Sequence, residues 1–462
     1  MYLRETRNLA QPVFPTSKPW RVLCLAHRVP HPPNRGYRIR SFHLLQYLAQ
    51  RATVDLAFLT HEPLADSSRV ALELLCQRVV WAPLHSWGRW LRGAWSLAAG
   101  RSVTEGVFRS PRLKRALAAW AADTQYDAVV VFCSSMVPYV DSLQPARGEA
   151  GRPPEFPCPV WVDLVDVDSQ KWVDYAASAR GCKRWLYRWE ARRLRALEKA
   201  LADRVHAVTL VSQPEAALYR QVLGGGAATG AELGEDATKA TTAGAKSRIV
   251  AIPNGVNLEY FRPVPQPIAS SEHTVSPAGG AGGSEAGRIV FVGALDYPAN
   301  IDGIVWFCQH VWGQVRARYP DLQLEIVGSH PGPGVRRLAR LPGVELVGQV
   351  PDVRPHLAAA LVVIVPLRIA RGIQNKVLEA LAMGKPVLAS PGALEGLQVQ
   401  IPQQAACAAT PEQWSHTLCD LVADAEQRTR MGLAGRAYVE QHHGWEHCLA
   451  GLEVLLRELG KP

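Results

Sequence analysis

The segment LVVIVPLRIARGIQNKVLEALAMGKP, residues 361–386, contains a strand, a loop and a helix in succession. Leu361–Val365 predicts a buried strand because it is short, rich in β-branched residues and followed by Pro366. A helix is predicted after Gly372, and Gly384 ends it. The inward face of that helix consists of apolar residues at helical spacing: Ile373, Val377, Leu378 and Leu381.

The entrance of this helix predicts a site for a nucleoside diphosphate. A glycine there leaves backbone N–H groups and the positive end of the helix dipole free to meet a ligand. Arg368, Arg371 and Lys376 add positive charge at the same end. Glu379 lies one turn further on, where a carboxylate can accept hydrogen bonds from the vicinal hydroxyls of a ribose. The alternative is that Lys376 and Glu379 form a surface ion pair of little energetic value.

Length and composition indicate two domains and acidic partners. The chain has 462 residues, more than one ordinary core accommodates, and 48% of them are hydrophobic. The formal net charge of +10 favours nucleotides, anionic lipid or nucleic acid as partners. Nucleic acid is disfavoured because the basic residues are mixed with acids and follow no known binding module.

Cysteine usage and the N-terminus lead us to expect a cytoplasmic protein. Nine cysteines are scattered without a C-x-x-C pair, which is typical neither of a disulfide framework nor of a zinc site. Residues 1–18 lack the apolar stretch of a secretory signal, and no run approaches the length that crosses a bilayer. Contact with the inner face of the cytoplasmic membrane stays open.

Alternating strand and helix patterns divide the chain into two doubly wound domains. The predicted order is a flexible extension (1–19), an N-terminal Rossmann-like domain (20–264) with a low-complexity insertion (224–247), a flexible linker (265–287), a C-terminal Rossmann-like domain (288–442) and a C-terminal helix (443–462) that packs back on the first domain. A ligand is expected across the carboxyl ends of both sheets.

Two motifs at this separation resemble a known family. Ile252–Pro263, IPNGVNLEYFRP, resembles the IPNG-V-D-x-x-x-F-x-P signature of family 4 glycosyltransferases, which have the GT-B fold. Gly348, Pro366 and KVLEALAMGKP (376–386) resemble the donor half of the same enzymes. The resemblance covers nearly the whole chain beyond Trp20.

Two further phrases are similar to one subgroup of that family. DLVDVDSQKW (163–172) and RIARGIQN (368–375) resemble the exopolysaccharide sugar transferases of PEP-CTERM/exosortase systems. The resemblance implies an α/β protein with two doubly wound Rossmann-like domains facing across a cleft. It implies retaining, metal-independent transfer from a nucleotide-sugar donor to a glycan acceptor, such as one linked to polyprenyl diphosphate. No cofactor is implied because the nucleotide sugar is a substrate, and the leaving phosphate accepts the acceptor's proton.

The residue patterns and the resemblance together nominate three sets of site residues. The expected catalytic residues are Arg371, Lys376 and Glu379. The expected donor-binding residues are Gly36, Gly348, Arg368, Arg371, Gly372, Asn375, Lys376 and Glu379. The expected acceptor-binding residues, which follow the first and fifth predicted strands, are His27, Asp166, Asp168 and Lys171.

Several positions depart from the family pattern. Family 4 enzymes usually carry E-x7-E, but the residue eight positions before Glu379 is Arg371, so the acid expected to hold the donor sugar is missing. The other departures are Arg35-Gly36 in place of Gly-Gly, Asn257 in place of Asp, and Gly293–Asn300 in place of a segment with Arg and Lys. Our hypothesis is that Arg368 and Arg371 supply the charge lost from that segment.

Each predicted acceptor-binding residue also has a purely structural explanation or another possible role. Asp168 or Ser169 is suited to cap the helix that follows. Asp166 and Asp168 form a D-x-D pair, for which metal binding is the weaker interpretation. His27 has the alternative of a loop histidine whose hydrogen bonds are satisfied, and the sequence favours that alternative. Gly328–Gly334 suggests a dinucleotide loop, but two prolines interrupt that pattern.

Two predicted helices carry surfaces suited to lipid. The first places aromatic and apolar residues on one face: Trp87, Trp90, Leu91, Ala94, Trp95 and Ala98. That face either lies in a membrane interface or packs on the first sheet. The second helix, 180–204, carries a basic stripe: Arg184, Arg188, Arg192, Arg195 and Lys199. Such a stripe is either solvated or in contact with an anionic lipid or a lipid-diphosphate acceptor.

Two other functions use the same architecture. A sugar-nucleotide epimerase would convert the donor without an acceptor. A non-catalytic nucleotide-sugar-binding regulator of polysaccharide assembly would bind the donor without turnover, and the missing glutamate of E-x7-E keeps this possibility open.

Overall fold

The computed structural model describes residues 20–84, 86–143, 156, 158–224, 247–263 and 287–459. Three segments predicted to be flexible lie wholly or almost wholly outside these residues: the extension 1–19, the insertion 224–247 and the linker 265–287.

The chain forms two compact units, and their boundary follows Ile252, the first residue of the IPNG segment. The first unit comprises the chain up to Ile252 together with residues from Leu449 onward, and the second unit is Pro253–Cys448. The sequence places this boundary after residue 264 instead. The difference arises because the IPNG segment bonds within the second unit, where the Val256 N–H donates to the His443 carbonyl at 2.7 Å.

The first unit is built on seven strands that pair in parallel in the order β3-β2-β1-β4-β5-β6-β7. The strands are β1 (Arg21–Ala26), β2 (Thr53–Thr60), β3 (Arg78–Pro83), β4 (Ala128–Phe132), β5 (Val160–Val165), β6 (Ala207–Leu210) and β7 (Arg248–Ala251). The helices are α1 (Gly36–Ala49), α2 (Asp66–Leu75), α3 (Ser86–Ala98), α4 (Val103–Val107), α5 (Pro111–Asp123), α6 (Asp168–Ser178), α7 (Gly181–Ala202) and α8 (Gln213–Val222), with a 3₁₀ segment at Ser134–Leu143. The central strands are buried on both faces because helices cover the sheet.

The second unit contains a six-stranded parallel sheet in the order β10-β9-β8-β11-β12-β13. The strands are β8 (Arg288–Val292), β9 (Gln323–Val327), β10 (Val344–Gly348), β11 (Val362–Val365), β12 (Val387–Ala389) and β13 (Ala406–Cys407). The helices are α9 (Pro298–His310), α10 (Trp312–Arg318), α11 (Pro333–Arg336), α12 (Arg354–Ala359), α13 (Asn375–Ala382), α14 (Pro391–Leu394), α15 (Pro411–Ala423) and α16 (Ala425–His442), with a 3₁₀ turn at Arg337–Arg340. The last helix, α17 (Trp445–Leu459), begins in the second unit and belongs to the first unit from Leu449 onward. The two doubly wound sheets predicted from the sequence are therefore present.

A buried ion pair crosses the core of the first unit. Arg40 on α1 and Asp163 on β5 each expose 1% of their side chain and share two hydrogen bonds of 2.7 and 2.8 Å. Thr209 donates to the same carboxylate at 2.7 Å, and Arg40 also donates to the Ile252 carbonyl at 2.8 Å. Full partnering of this kind offsets the desolvation cost of both charges. The pair thereby joins α1 to the two strands β5 and β6.

Candidate functional site

The candidate donor site lies where the strand order of the second sheet reverses, between β8 and β11. In doubly wound sheets, ligands bind outside the carboxyl ends of the strands at such a point. The loop after β8 begins at Gly293 and leads into α9. The loop after β11 runs from Pro366 to Gln374 and leads into α13. The predicted catalytic residues all lie on this second loop or on α13.

Lys376 links α13 to α9, the two helices that follow these loops. Its Nζ donates a 2.6 Å hydrogen bond to Oδ1 of Asn300 on α9 and lies 4.9 Å from the centroid of the Phe291 ring. The side chain is half-buried. Burial lowers the pKa of Lys376 to about 7, and the charge of Glu379 opposes this shift. An anionic ligand would restore the full positive charge of such a lysine.

Glu379 lies one helical turn after Lys376 and is also half-buried. Burial raises its pKa to about 7, and the charge of Lys376 opposes the rise. The surface ion pair considered as an alternative does not describe these residues, because the lysine head group is hydrogen-bonded to Asn300 and both side chains are partly removed from solvent.

The two predicted arginines differ in their surroundings. Arg368 is exposed, and its Nε lies 3.5 Å from Oδ2 of Asp302, itself partly exposed. Arg371 is half-buried, and its backbone carbonyl accepts a 2.8 Å hydrogen bond from the Gln374 side chain. Screened pairs such as Arg368–Asp302 contribute little to stability, so this arginine can exchange its partner for a ligand.

The helix begins later than the sequence predicts. It starts at Asn375, whereas the pattern placed Ile373 within it. Gly372 has a positive φ of 62° and Gln374 is extended, so the intervening chain forms a loop that inserts Ile373 into the core, where it exposes 7% of its surface. The Gln374 side chain makes no capping bond, which leaves the first N–H groups of α13 directed out of the helix.

The IPNG segment is anchored to both ends of α13. At the start of the helix, the Asn254 side-chain amide donates to Oδ1 of Asn375 at 3.0 Å. At the end, Arg436 on α16 donates to the carbonyls of Ala382 and Phe261 at 2.5 and 2.6 Å. The family signature therefore holds the helix that carries Lys376 and Glu379.

Two glycines around the site have no room for a Cβ, and a third has a positive φ. A Cβ at Gly328 would lie 1.8 Å from the Gly293 carbonyl oxygen, and one at Gly293 would lie 2.8 Å from the Lys376 Nζ. Gly348 ends β10 with a φ of 80°, and its carbonyl accepts from the Gly328 N–H at 2.8 Å. Gly36, in the first unit, begins α1 without a side-chain cap.

Replacing Gly293 with alanine should weaken binding of a nucleoside diphosphate more than it weakens the fold. The added methyl group would lie 2.8 Å from the Lys376 Nζ and 2.9 Å from the Asn300 Nδ2, so it would disturb the hydrogen bond between these two side chains. We expect roughly a tenfold or greater rise in the Kd for a nucleoside diphosphate by calorimetry, since a hydrogen bond to a charged group is worth about 1.5–3 kcal/mol. Gly313→Ala, whose Cβ would meet nothing within 4 Å, is the matched control. Unchanged affinity in Gly293→Ala would contradict the placement of Lys376.

In the first unit, three of the four predicted acceptor residues form one cluster. The Lys171 Nζ lies 3.3 Å from Asp166 and 3.6 Å from Asp168. Ser134, which follows β4, donates to Asp168 at 3.4 Å, and burial raises the pKa of that aspartate. Across the described residues, no group of three or more His, Cys, Asp or Glu side chains is arranged to hold a metal ion.

The capping alternative for Asp168 and Ser169 is wrong. No side chain at the start of α6 caps the helix from its own N-cap position. Two buried glutamates from other helices do so instead: Glu198 accepts from the Ser169 N–H at 2.9 Å, and Glu215 accepts from the Val167 N–H at 2.8 Å. Burial raises the pKa of Glu198 to about 7. The side chains of Asp166 and Asp168 contact Lys171, and Asp168 also accepts a hydrogen bond from Ser134.

The fourth predicted residue, His27, follows β1 beside the same sheet edge. Its Nδ1 lies 3.4 Å from the Phe132 carbonyl, and burial lowers its pKa to about 3, so the ring is neutral. Cys133 and Val165, which lie at the ends of β4 and β5, have positive φ values of 82° and 70°. Non-glycine residues rarely adopt this conformation, and such strain is concentrated at binding and catalytic sites.

The predicted apolar face of α3 is exposed where it is described. Leu91 and Trp95 expose 71% and 76% of their surface, while Gly93 and Ser96 on the opposite face are buried. The alternative that this face packs on the first sheet is therefore wrong for these residues; the side chains of Trp87 and Trp90 lie outside the described part. Within that part, no helix combines the length and apolarity required to cross a membrane.

Three contributors were missed by the sequence interpretation. Ser134 starts the 3₁₀ segment after β4, Asn300 lies on the first turn of the helix after β8, and Asn254 lies in the segment that resembles the signature. Searching the chain for polar residues directly after every predicted strand would have found Ser134, because parallel strands bring those loops to one edge, but it would have missed Asn300, which lies on the first turn of α9.

One protein family and several solved structures are similar to this chain. Residues 286–424 match the family described as "Glycosyl transferases group 1". The chain resembles a sucrose-phosphate synthase from Thermosynechococcus elongatus at 18% identity and a TM-score of 0.63, over 95% of this chain and 99% of that one. Anabaena HepE in complex with UDP and glucose matches at 12% identity and a TM-score of 0.60, over 95% and 100% of the two chains. WaaG, a glycosyltransferase involved in lipopolysaccharide biosynthesis, matches at 14% identity and a TM-score of 0.59, over 94% and 99%.

The structural matches establish the fold, and the family match covers the segment that contains Lys376 and Glu379. Within the second unit, the segment 286–424 is similar to the glycosyl transferases group 1 family, and the chain has the GT-B fold with two Rossmann-like halves.

Proposed function

We propose that the protein is a retaining glycosyltransferase that moves a sugar from a nucleotide-sugar donor to a glycan acceptor. The observation that carries the proposal is the half-buried Lys376, held on Asn300 where the second sheet reverses and one turn from Glu379. These residues lie within the segment that matches glycosyl transferases group 1. Structures of Anabaena HepE with UDP and with UDP-glucose add support for a nucleotide-sugar donor.

In this proposal, fixed positive charge stabilises the departing diphosphate. Lys376, Arg371 and the first N–H groups of α13 bind the phosphates, and Glu379 accepts hydrogen bonds from the ribose. The bond between the anomeric carbon and the diphosphate breaks, a bond to the acceptor oxygen forms, and the leaving phosphate takes the acceptor's proton. Preorganised charges of this kind act without reorganisation during the reaction. The proposal includes transfer without a divalent metal, and addition of EDTA tests that part.

The acceptor in this proposal binds the first unit beside Asp166, Asp168 and Lys171, with His27 nearby. A glycan hydroxyl suits the carboxylates, because they accept its hydrogen bonds. The resemblance to PEP-CTERM exopolysaccharide transferases favours a glycan linked to polyprenyl diphosphate and a role in exopolysaccharide biosynthesis.

A thermal-shift screen of nucleoside diphosphates and their sugars, followed by a transfer assay, tests the proposal. A ligand that binds the native state raises the melting temperature, so the nucleotide sugar that gives the largest rise is the candidate donor. Labelled sugar should then move to a panel of polyprenyl-diphosphate-linked glycans with retained anomeric configuration. Conversion of the donor without an acceptor would indicate an epimerase. Binding without turnover across the panel would indicate a regulator.

A basic and aromatic surface on the first unit favours contact with an anionic membrane. Leu91 and Trp95 of α3 and Trp185 of α7 are exposed, the last by 59%. The exposed arginines of α7 include Arg184, Arg188 and Arg192. The end of α3 lies beside α7, because a Cβ at Gly100 would be 3.6 Å from the Arg193 guanidinium. Apolar side chains bordered by cations suit the interface of an anionic bilayer. Peripheral contact at the cytoplasmic membrane is therefore part of the proposal.

Flotation with liposomes checks this surface. The wild-type protein should float with vesicles containing phosphatidylglycerol at low salt and less with phosphatidylcholine alone. A Leu91→Ser/Trp95→Ser variant should lose about tenfold or more of this binding, since burying each such side chain contributes about 1.5–3 kcal/mol. Leu433→Ser, which changes an equally exposed leucine of the second unit, is the control. Failure of the wild-type protein to float at low salt would end the membrane proposal.

A further inference from the structure

Asn300 has an amide orientation determined by two hydrogen bonds. Its side chain lies on the first turn of α9, and the residue exposes only 6% of its surface. Nδ2 donates to the Ala294 carbonyl at 2.9 Å, and Oδ1 accepts from the Lys376 Nζ at 2.6 Å. An amide has one donating and one accepting end, so the carbonyl of Ala294 fixes which end meets the lysine.

The groups around the Lys376 ammonium are almost all uncharged. The Phe291 ring lies below it, and the bare backbone of Gly293 leaves the space that it occupies. From its own helix, Glu379 is the titratable group that acts on it. On α9, the nearby acid Asp302 is paired with Arg368 rather than with the lysine. An amide acceptor orients the ammonium without cancelling its charge, whereas a carboxylate in the same place would neutralise it.

We propose that Asn300 is a positioning residue that holds the Lys376 ammonium charged and in place for the donor diphosphate. This inference rests on the proposed function for what the lysine binds. The pairing itself depends only on the contacts within the second unit.

Substitution of Asn300 should move the titration of Lys376 in two directions. Asn300→Ala removes an acceptor that favours the charged amine, so the pKa should fall by about one to two pH units. Asn300→Asp keeps the shape, loses the donor to the Ala294 carbonyl and adds a negative charge beside the ammonium, so the pKa of Lys376 should rise. Both variants should bind diphosphate less well at neutral pH. The alanine variant leaves the lysine largely neutral, and the aspartate variant cancels its charge.

Competitive labelling of the full chain with trace acetic anhydride measures this titration directly. Only the neutral amine reacts, so the yield at Lys376 against pH, read by mass spectrometry, reports its pKa without any nucleotide. Asn34→Ala, an exposed asparagine of the first unit, should give the wild-type curve. Opposite shifts in the alanine and aspartate variants would support the inference, because a general loosening of the fold would not produce opposite signs. A wild-type pKa in Asn300→Asp would overturn it, even if the alanine variant fails to fold.

Labelling in the presence of inorganic pyrophosphate distinguishes a failure of this inference from a failure of the proposed function. It carries the diphosphate without base or sugar, and it should protect Lys376 of the wild-type protein from acylation and protect both Asn300 variants less. If the labelling curves shift as expected but pyrophosphate never protects the wild type, the pairing stands and the donor role of the site is refuted. If pyrophosphate protects all three proteins equally, Asn300 has no positioning role.

Discussion

Replacing Lys376 with methionine should reduce the affinity for nucleoside diphosphate more than any other single change in the second unit. Methionine keeps most of the volume of the aliphatic stem, so the loss is confined to the ammonium, its bond to Asn300 and its contact with the face of the Phe291 ring. Truncating a partly buried, hydrogen-bonded charge costs about 2–5 kcal/mol. That cost corresponds to a roughly 30-fold to several-thousand-fold rise in Kd, which calorimetry with UDP measures.

The effect should depend on pH in a defined direction. Burial lowers the pKa of Lys376 to about 7, so the protonated fraction of the wild-type lysine falls as the pH rises through that value. The advantage of wild type over Lys376→Met should therefore be largest below pH 7 and should shrink above it. Arg430→Met removes an exposed positive charge from α16 and should bind as wild type does. A Lys376→Met protein with near-normal affinity would refute the donor site.

Breaking the Arg40–Asp163 pair should cause the largest loss of stability in the first unit. Asp163→Ala leaves a guanidinium that is 1% exposed without its carboxylate, and removing one partner of a buried pair costs about 3–5 kcal/mol. Thr209 loses its acceptor at the same time. Because the chain has two units, hydrogen exchange of peptides from β5 and β6 is a better measure than a single melting temperature.

Two further variants test the origin of that loss. Arg69→Ala removes an arginine that lies 3.7 Å from both Asp66 and Glu73 on the exposed face of α2, and it should cost less than about 1 kcal/mol. The double replacement Arg40→Met/Asp163→Leu should recover part of the loss, because it removes both charges together. Protection in Asp163→Ala equal to that in Arg69→Ala would show that the buried pair does not stabilise the first unit.

The strand and helix that carry the candidate donor site were predictable in outline, because the signals for these elements are local. The β-branched run before Pro366 and the apolar spacing of α13 depend on neighbouring residues, and periodicity reports them well. Helix α13 starts at Asn375 rather than at Ile373, because the left-handed conformation of Gly372 and the burial of Ile373 override helix propensity there. Tertiary contacts set that boundary.

The residues that the sequence interpretation missed all act over long separations. Asn300 meets Lys376 across 76 positions, and Asp163 meets Arg40 across 123. Glu198 and Glu215 replace the local cap that was expected at Ser169. No spacing rule brings such partners together, because their proximity depends on strand order.

By itself, the sequence determined the alternation of strands and helices, the two doubly wound sheets and the cationic helix entrance, since these follow from the burial pattern and charge of adjacent residues. The tertiary structure alone decided that the IPNG segment belongs to the second unit, that Asn300 holds Lys376, and which face of α3 is exposed. The physical reason is that parallel strand order joins loops that are distant in the chain, and burial there sets both the partners and the pKa of each charged group.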